Sequence, residues 1–339
     1  MRSVPGWACG SGDDRRRFVP HALSPDVAKP VALLLALAID LAFGDPPNRY
    51  HPVAWIGRLL EAGRRWLCRG SPASLLAGGA AVTIAVAGLA GAAGALVSVL
   101  AARLGVGGLL LEALALMCLL SFRDLVGAAR SVAADLGRGD LPAARRTVGY
   151  HLVSRPTAEL DERQVASATV ESVAENLTDS LVAPVCFFLA GGLVGAAVYR
   201  VINTADSMFG YRTGPLEYFG KSAARLDDLL NFFPARIAGL SLVAGAALAG
   251  ESARGALAIL RRDRCRTESP NAGWTMAAMA GALGVVLEKP TVHRLGAGAL
   301  PIVRDIERSV RVLRAAAAVS LLLMAAAFVV ARKLLGLSA

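Results

Sequence analysis

Three groups of acidic and amide side chains in this chain are spaced so that each would occupy one face of a helix. In the first, Glu171, Glu175 and Asp179 are four residues apart, with Asn176 beside them. Positions four apart share a helix face, and like charges at that spacing repel one another. Helix stability therefore does not explain the stripe, and we expect a cationic group to face it. The alternative, a solvated helix face, is disfavoured by the apolar sequence directly adjoining each group.

The other two groups follow farther along the chain. They are Arg200, Asn203 and Asp206, which end an apolar run, and Asp227, Asp228 and Asn231. The five cysteines and four histidines are scattered without paired spacing, so neither a disulfide framework nor a zinc site is indicated. Any metal is therefore expected to be held by oxygen ligands, which favours magnesium.

The composition indicates a membrane protein. Of the 339 residues, 55% are hydrophobic, and the mean hydropathy is +0.52, which is unusual for a soluble domain. Several apolar runs approach or exceed the ~20 residues that span a bilayer as a helix. These runs are 31–43, 74–102, 109–120, 181–198, 237–249 and 315–330. We predict an all-α, polytopic membrane helix bundle with interfacial amphipathic helices.

The chain is predicted to have a disordered tail over residues 1–27 and one membrane-embedded helical domain over residues 28–335. The alternative for the first segment is a cleaved signal peptide, but the polar motif after it makes sense only if it stays attached. The net charge of +10 is expected from loop arginines that face anionic lipid. Basic residues lack interleaved aromatic residues, which argues against nucleic-acid binding.

The run over residues 181–198 decides whether the polar groups can meet. As one helix it would separate Asp179 from Asn203 by about 36 Å, at 1.5 Å per residue, which is a whole membrane. A break at Gly191-Gly192 would make a re-entrant hairpin, whose irregular backbone is tolerated where it lines a protein cavity. We predict this hairpin, or helices tilted around a deep water-filled cavity. Either would bring together Glu175, Asp179, Asn203, Asp206 and Asp228, in a site open to the cytoplasm.

Six motifs, in order, resemble one known family. They are DLAFGDPPNRYHPVAWIGRL, SFRDL, ESVAEN followed by DSLVAP, YRVINTADSMFGYRT, FGKSAARLDDLLNFFPAR and SPNAGW. Together they resemble the adenosylcobinamide-phosphate synthase family of cobalamin biosynthesis, called CobD or CbiB, over residues 31–284. Residues 288–300 depart from that pattern, because Thr291, His293 and Arg294 stand where the family usually has a Gly-rich loop with a tyrosine.

The resemblance implies a multi-pass enzyme of the bacterial inner membrane. It would join adenosylcobyric acid, through one propionate, to (R)-1-aminopropan-2-ol or its O-phosphate, giving adenosylcobinamide or its phosphate. The family is described as using ATP and a divalent metal. A carboxylate does not condense with an amine in neutral water without activation, and phosphoryl transfer from ATP requires Mg²⁺ and positioned cations. Other enzymes of the corrinoid pathway are possible partners.

With this resemblance, the candidate residues receive expected roles. The catalytic candidates are Glu171, Glu175, Asp206 and Asp228, and the candidate metal ligands are Glu175, Asp179, Asp206 and Asp227. The substrate-binding candidates are Asp45, Asn48, His51, Asn176, Arg200, Asn203, Arg212, Arg225, Asn231, Asn271, Gly273 and Trp274. Two other classes of protein remain open: a transporter whose intramembrane polar residues line a substrate path, and a noncatalytic scaffold for corrinoid enzymes.

Overall fold

The computed structural model describes residues 25–336, which form a bundle of helices with one small β-hairpin. The helices are α1 (Pro25–Phe43), α2 (Pro52–Leu67), α3 (Pro72–Arg103), α4 (Val106–Met117), α5 (Phe122–Gly137), α6 (Leu141–His151), α7 (Glu162–Leu177), α8 (Ala183–Phe209), α9 (Leu216–Phe219), α10 (Lys221–Leu230), α11 (Phe232–Leu248), α12 (Ala253–Asp263), α13 (Ala272–Leu283) and α14 (Val303–Leu334). A π-helical turn, Thr178–Val182, joins α7 to α8. Of the predicted tail, residues 1–24 lie outside the described part, and residues 25–27 belong to α1.

Capping side chains and prolines set several helix boundaries. His51 begins α2: its Nδ1 accepts a hydrogen bond from the backbone N–H of Val53 (3.1 Å), and Pro52 follows at the first helical position. Asp161 and Gln164 form a reciprocal capping box at the start of α7. Such caps satisfy backbone donors that no carbonyl within the helix can reach. The helix that carries Glu171 and Glu175 therefore starts at a sequence-encoded position.

Helix α8 is a bent element that folds back on the end of α7. Gly192 interrupts it with φ +62° and ψ −154°, a conformation that is essentially restricted to glycine. As a result, the ring of Phe187 stacks on the ring of Tyr199, with centroids 5.1 Å apart. The segment over 162–209 is therefore a hairpin, and the predicted turn near Gly191-Gly192 is confirmed.

The two limbs of this hairpin connect two hydrophobic cores. The larger core contains Val185 and Phe188, together with buried residues of α1, α4, α5, α7 and α11 to α14. The smaller core contains Val201, Ala205 and Phe209, packed with buried residues of α2, α3, α9 and α10. The limb after Gly192 also contributes Leu193, Ala196 and Ala197 to the larger core, so this limb joins the two cores.

Three described helical segments are long and apolar enough to cross a membrane: Pro72–Arg103, Glu162–Phe209 and Val303–Leu334. A fourth is possible if α10 and α11, which meet at a bend of 53°, count as one span. The apolar runs at 31–43 and 109–120 lie in the shorter helices α1 and α4. The predicted polytopic helical membrane bundle is confirmed, although six apolar runs do not make six separate spans.

Within residues 25–336, the one departure from an all-helical fold is a short β-hairpin after α13. Strand β1 (Val286–Lys289) pairs antiparallel with β2 (His293–Gly296), and Leu287 lies opposite Leu295. Thr291 in the connection has φ +64°. This β-hairpin covers one side of the cavity described next, and Lys289, Val292 and His293 line that cavity.

Candidate active site

A cavity of about 460 Å³ lies where the α7–α8 hairpin meets α10, the start of α13 and the β-hairpin. Polar side chains from all three predicted groups reach it. The titratable and amide residues that line it are Arg155, Glu171, Glu175, Asp179, Asp206, Tyr211, Arg212, Asp227, Asp228, Asn231, Glu268, Asn271, Lys289 and His293. The expectation from the sequence that the three groups converge is therefore met for those members of the groups that appear in this list.

The π-helical turn holds Asp179 at the centre of a hydrogen-bond network. Oδ1 of Asp179 is 3.3 Å from both the hydroxyl of Tyr199 and Nδ2 of Asn231, which donate to it. The Asp179 backbone carbonyl accepts a hydrogen bond from the guanidinium of Arg200 (3.1 Å). π-Helical turns are frequent at functional sites because they shift the direction of the following side chains. Here the turn points Asp179 across the hairpin at α8 and α10.

Asp227 is likewise engaged on both carboxylate oxygens. Oδ1 accepts from Nδ2 of Asn203 (3.2 Å), and Oδ2 accepts from Nδ2 of Asn231 (2.9 Å). Asn231 is buried at the bend between α10 and α11, and its Oδ1 accepts from the hydroxyl of Tyr199 (3.0 Å). Asn203, Asn231 and Tyr199 thus orient the carboxylates of Asp179 and Asp227 and connect α8 to α10.

Glu175 and Asp206 differ from these two carboxylates. Within the described part of the chain, neither side chain has a hydrogen-bond or ion-pair partner, although both line the cavity. Glu175 is exposed and Asp206 is half-buried. Asp206 lies against Gly210, where an added Cβ would collide with Oδ1. The two carboxylates are therefore available to a ligand in the cavity, whereas Asp179 and Asp227 are occupied by protein donors.

Basic side chains also line the cavity, as the like-charged stripe led us to expect. They are Arg155 from the connection before α7, Arg212 after α8, and Lys289 at the end of β1. Arg212 is mostly exposed and lies 3.7 Å from Glu268. A cavity lined by both carboxylates and three cations suits a ligand that carries both an ammonium and phosphate groups.

The connection before α13 anchors a further carboxylate, that of Asp228 on α10. Oδ1 of Asp228 accepts from the hydroxyl of Ser269 (3.0 Å), and its backbone carbonyl accepts from Nδ2 of Asn271 (2.7 Å). Oδ1 of Asn271 in turn accepts from the guanidinium of Arg236 (3.0 Å). Arg225 lies at the margin, with its guanidinium 4.0 Å from Asp228. This network fixes the SPNAGW motif against the end of α10.

The family profile described as "CobD/Cbib protein" matches residues 33–322. The chain is 44% identical over 264 residues to a probable cobalamin biosynthesis protein CobD of Methanothermobacter thermautotrophicus, covering 78% of this chain and 86% of that protein. It is 38% identical over 310 residues to the cobalamin biosynthesis protein CobD of Citrobacter koseri, covering 87% and 96%. The chain belongs to the CobD/CbiB family. No solved structure matches this family member.

Several of the residues predicted to bind substrate lie outside the cavity of this CobD/CbiB protein. Asp45 and His51 form a separate cluster near α5: Oδ2 of Asp45 accepts from the hydroxyl of Ser121 (2.9 Å), and its Oδ1 is 3.5 Å from Nε2 of His51. Asn48 is exposed in the turn between them. Asn176 donates to the backbone carbonyl of Ser172 (2.9 Å) instead of facing a ligand.

Two further predicted residues have packing roles. A Cβ at Gly273 would collide with the carbonyl of Arg264, so this glycine permits a close backbone approach at the start of α13. The ring of Trp274 lies beneath the guanidinium groups of Arg236 and Arg264, at 4.9 and 5.5 Å. Arg200 and Asn203, by contrast, donate hydrogen bonds to the cavity residues Asp179 and Asp227 and thereby hold them in position.

Sequence reasoning did not select Arg155, Lys289 or His293, which come from connections with no periodic polar pattern. The Arg155-Pro156 pair indicates only the end of a helix, while Lys289 and His293 lie in the β-hairpin after α13. The only available signal was the unbalanced charge of the Glu171–Glu175 stripe, which predicts nearby cations without identifying them.

The arrangement of the possible ligand side chains limits the kind of metal site that this CobD/CbiB protein can form. Among residues 25–336, no group of three or more His, Cys, Asp or Glu side chains is arranged to hold a metal ion. The four predicted ligands therefore do not form a preassembled cage. Magnesium that arrives with nucleotide phosphates needs only one or two protein carboxylates. Glu175 and Asp206 fit that requirement, because no donor among residues 25–336 occupies them.

Proposed function

We propose that this chain forms an amide between a propionate carboxyl of adenosylcobyric acid and the amine of (R)-1-aminopropan-2-ol or its O-phosphate, with consumption of ATP. Membership of the CobD/CbiB family supports the corrinoid substrate. The observation that carries the proposal is the pair of unpartnered carboxylates, Glu175 and Asp206, in a cavity that Arg155, Arg212 and Lys289 also line. Ligation requires both an activated, phosphorylated carboxyl and a positioned amine, and this cavity offers groups for each.

The residues divide the chemistry between them. ATP with Mg²⁺ would supply a phosphoryl group that converts the unreactive carboxylate to an acyl phosphate. Arg155, Arg212 and Lys289 would hold the phosphate oxygens and offset their charge. Glu175 and Asp206 would meet Mg²⁺ or the ammonium of the second substrate. Glu171 would accept the proton that the ammonium loses before the nitrogen attacks, and Asp228, anchored by Ser269, would position the amino alcohol.

The size of the cavity suggests where the larger substrate lies. A volume of about 460 Å³ accommodates a propionate arm and a small amino alcohol but cannot enclose a corrin ring. The ring would therefore stay at the mouth of the cavity, with one propionate reaching inward. We propose that the mouth opens to the cytoplasm of the cell, where ATP is available.

A direct assay tests the proposal. The protein, purified in detergent, is given adenosylcobyric acid, ATP and Mg²⁺ with either aminopropanol or its O-phosphate, and products are resolved by mass. An amide product that needs both ATP and Mg²⁺ is expected. Corrinoid binding without amide formation under any of these conditions would refute the enzyme and favour a transporter or a scaffold. Comparing the two amines identifies the natural one.

A further inference from the structure

His293 is a buried imidazole that packing does not explain. Its side chain is 6% exposed, and neither ring nitrogen has a hydrogen-bond partner among residues 25–336. Nε2 lies 3.5 Å from Oε2 of Glu171. Buried polar atoms are nearly always hydrogen-bonded, so each exception in a native structure requires an explanation. The place of this one, beside a cavity carboxylate, points to a role in the site.

The β-hairpin constrains both oxygens of the Glu171 carboxylate, one through Ser167 and the other directly. The hydroxyl of Ser167 accepts from the backbone N–H of Glu288 on β1 (2.9 Å) and donates to Oε1 of Glu171 (3.0 Å). His293, on β2, is next to the other oxygen, and the guanidinium of Arg155 is 3.9 Å from that same oxygen. The Glu171 carboxylate is therefore held by nearby Ser167 and Arg155 together with two residues more than a hundred positions away, Glu288 through Ser167 and His293 directly.

We propose that His293 is a positioning residue of the active site, which holds the Glu171 carboxylate toward the cavity and receives the proton that Glu171 takes from the attacking amine. This inference rests on the proposed amide-forming function. It is not a property carried over from the family resemblance, which gives His293 no role.

The proton and bond changes balance as follows. The substrate ammonium gives one proton to Oε2 of Glu171, and the proton passes to Nε2 of His293, which leaves Glu171 ionised beside an imidazolium. The neutral amine nitrogen then bonds to the carbonyl carbon of the acyl phosphate. As the bond from that carbon to the phosphate oxygen breaks, the second N–H proton leaves with inorganic phosphate. Lys289 and Glu175, which share the cavity, supply the other nearby charges.

Changing the nucleophile separates this role from a structural one. Hydroxylamine is neutral at pH 7 and needs no base before it attacks an acyl phosphate. In His293→Asn, kcat with the natural amine is expected to fall about 100-fold, the lower end of general-base effects, with KM for the corrinoid unchanged. Hydroxamate formation from hydroxylamine should remain close to the wild-type rate. Arg294→Gln, a neighbouring position on the same strand whose side chain is exposed, is the matched control and should alter neither reaction.

The outcomes are distinct. An equal loss with both nucleophiles in His293→Asn would overturn the inference, because it would mean that the cavity itself is damaged. If that variant does not fold, Glu171→Gln provides the same comparison, and His293→Gln keeps a polar group at the site. The double variant Glu171→Gln, His293→Asn should lose no more than either single one, since residues that act as a unit are not additive. Wild-type protein that forms neither amide nor hydroxamate would instead refute the proposed function itself.

Discussion

The hydroxyl of Tyr199 lies 3.3 Å from Oδ1 of Asp179, although twenty residues separate them in the chain. A continuous helix would hold these positions about 30 Å apart at 1.5 Å per residue. The hydrogen bond exists because the backbone reverses at Gly192. The contacts of Asp179 with Arg200 and Asn231 also depend on this reversal, which brings the part of α8 after Gly192 back beside the end of α7.

The first prediction concerns the sidedness of the cavity. Thr178 and Ser207 both line it, so single cysteines at these positions, in a background without the five native cysteines, should be labelled from the same side of sealed vesicles. A membrane-impermeant maleimide added inside or outside reports the side. A cysteine at exposed Glu159 reports labelling efficiency. Labelling of Thr178 and Ser207 positions from opposite faces would contradict the hairpin in the membrane.

The hairpin itself could be predicted, because length and glycine position carry the information. The distance argument required a break, and Gly191-Gly192 supplied the only adjacent glycines in the 181–198 run. The position of the Asp179 side chain could not be predicted from the sequence with the same precision. It falls on the π-helical turn beyond α7, and nothing in a residue pattern distinguishes an inserted π-turn from ordinary helix.

Contacts between segments that are far apart in the chain were the other feature that the sequence could not predict. The contact between Glu171 and His293, and the hydrogen bond from the Glu288 backbone to Ser167, join distant segments through geometry that no local spacing encodes. Conversely, Asp45 and His51 carry the residue types of a site, yet they bond to Ser121 and to the first turn of α2. Capping and binding use the same side chains, so sequence alone does not separate the two uses.

The second prediction tests the turn. Gly192→Ala should lower the free energy of unfolding by about 1–3 kcal/mol, because the alanine Cβ is strained at this φ and ψ. Space is not the reason, since a Cβ at Gly192 meets no atom within 4 Å. Gly191→Ala is the matched control: its Cβ also meets nothing, and its backbone is not in the positive-φ region. Thermal unfolding in detergent measures both, and equal midpoints for the two variants would contradict the prediction.

The third prediction tests the free carboxylates. Glu175→Gln and Asp206→Asn should each abolish amide formation, because a neutral amide cannot pair with Mg²⁺ or an ammonium in the same way. Expression and membrane insertion should stay near normal, since neither carboxylate has a protein partner among the described residues. Activity is measured with the mass-resolved assay. Glu217→Gln, at a half-buried carboxylate outside the cavity lining and 3.9 Å from Lys221, should remain active. Either cavity variant that keeps more than about a tenth of the wild-type rate, equivalent to about 1.4 kcal/mol of barrier, does not act in catalysis.

The last prediction concerns the anchor of the β-hairpin. The Asp263 carboxylate is fully buried at the end of α12; its Oδ2 accepts from the backbone N–H of Gly296 (2.8 Å), and Arg262 donates to both of its oxygens at 2.7 Å. Burial alone would raise the pKa of Asp263, but the hydrogen bonds from Arg262 and Gly296 outweigh it, so its pKa lies below the ordinary value. A carboxylate with a lowered folded-state pKa stabilises the fold above its unfolded pKa, about 3.9, and that contribution disappears as the pH falls through the folded-state value.

Asp263→Asn should therefore lower the thermal midpoint at pH 7 and reduce the further fall of that midpoint below about pH 4, where the wild-type carboxylate becomes protonated. Thermal unfolding in detergent between neutral and acidic pH measures both effects. Glu159→Gln, at an exposed carboxylate, should reproduce the wild-type curve. Because Asp263 holds the strand that carries His293, the variant should also lose amide formation at pH 7. If the variant kept full activity and its thermal midpoint fell at acidic pH as in the wild type, the β-hairpin would be held without Asp263.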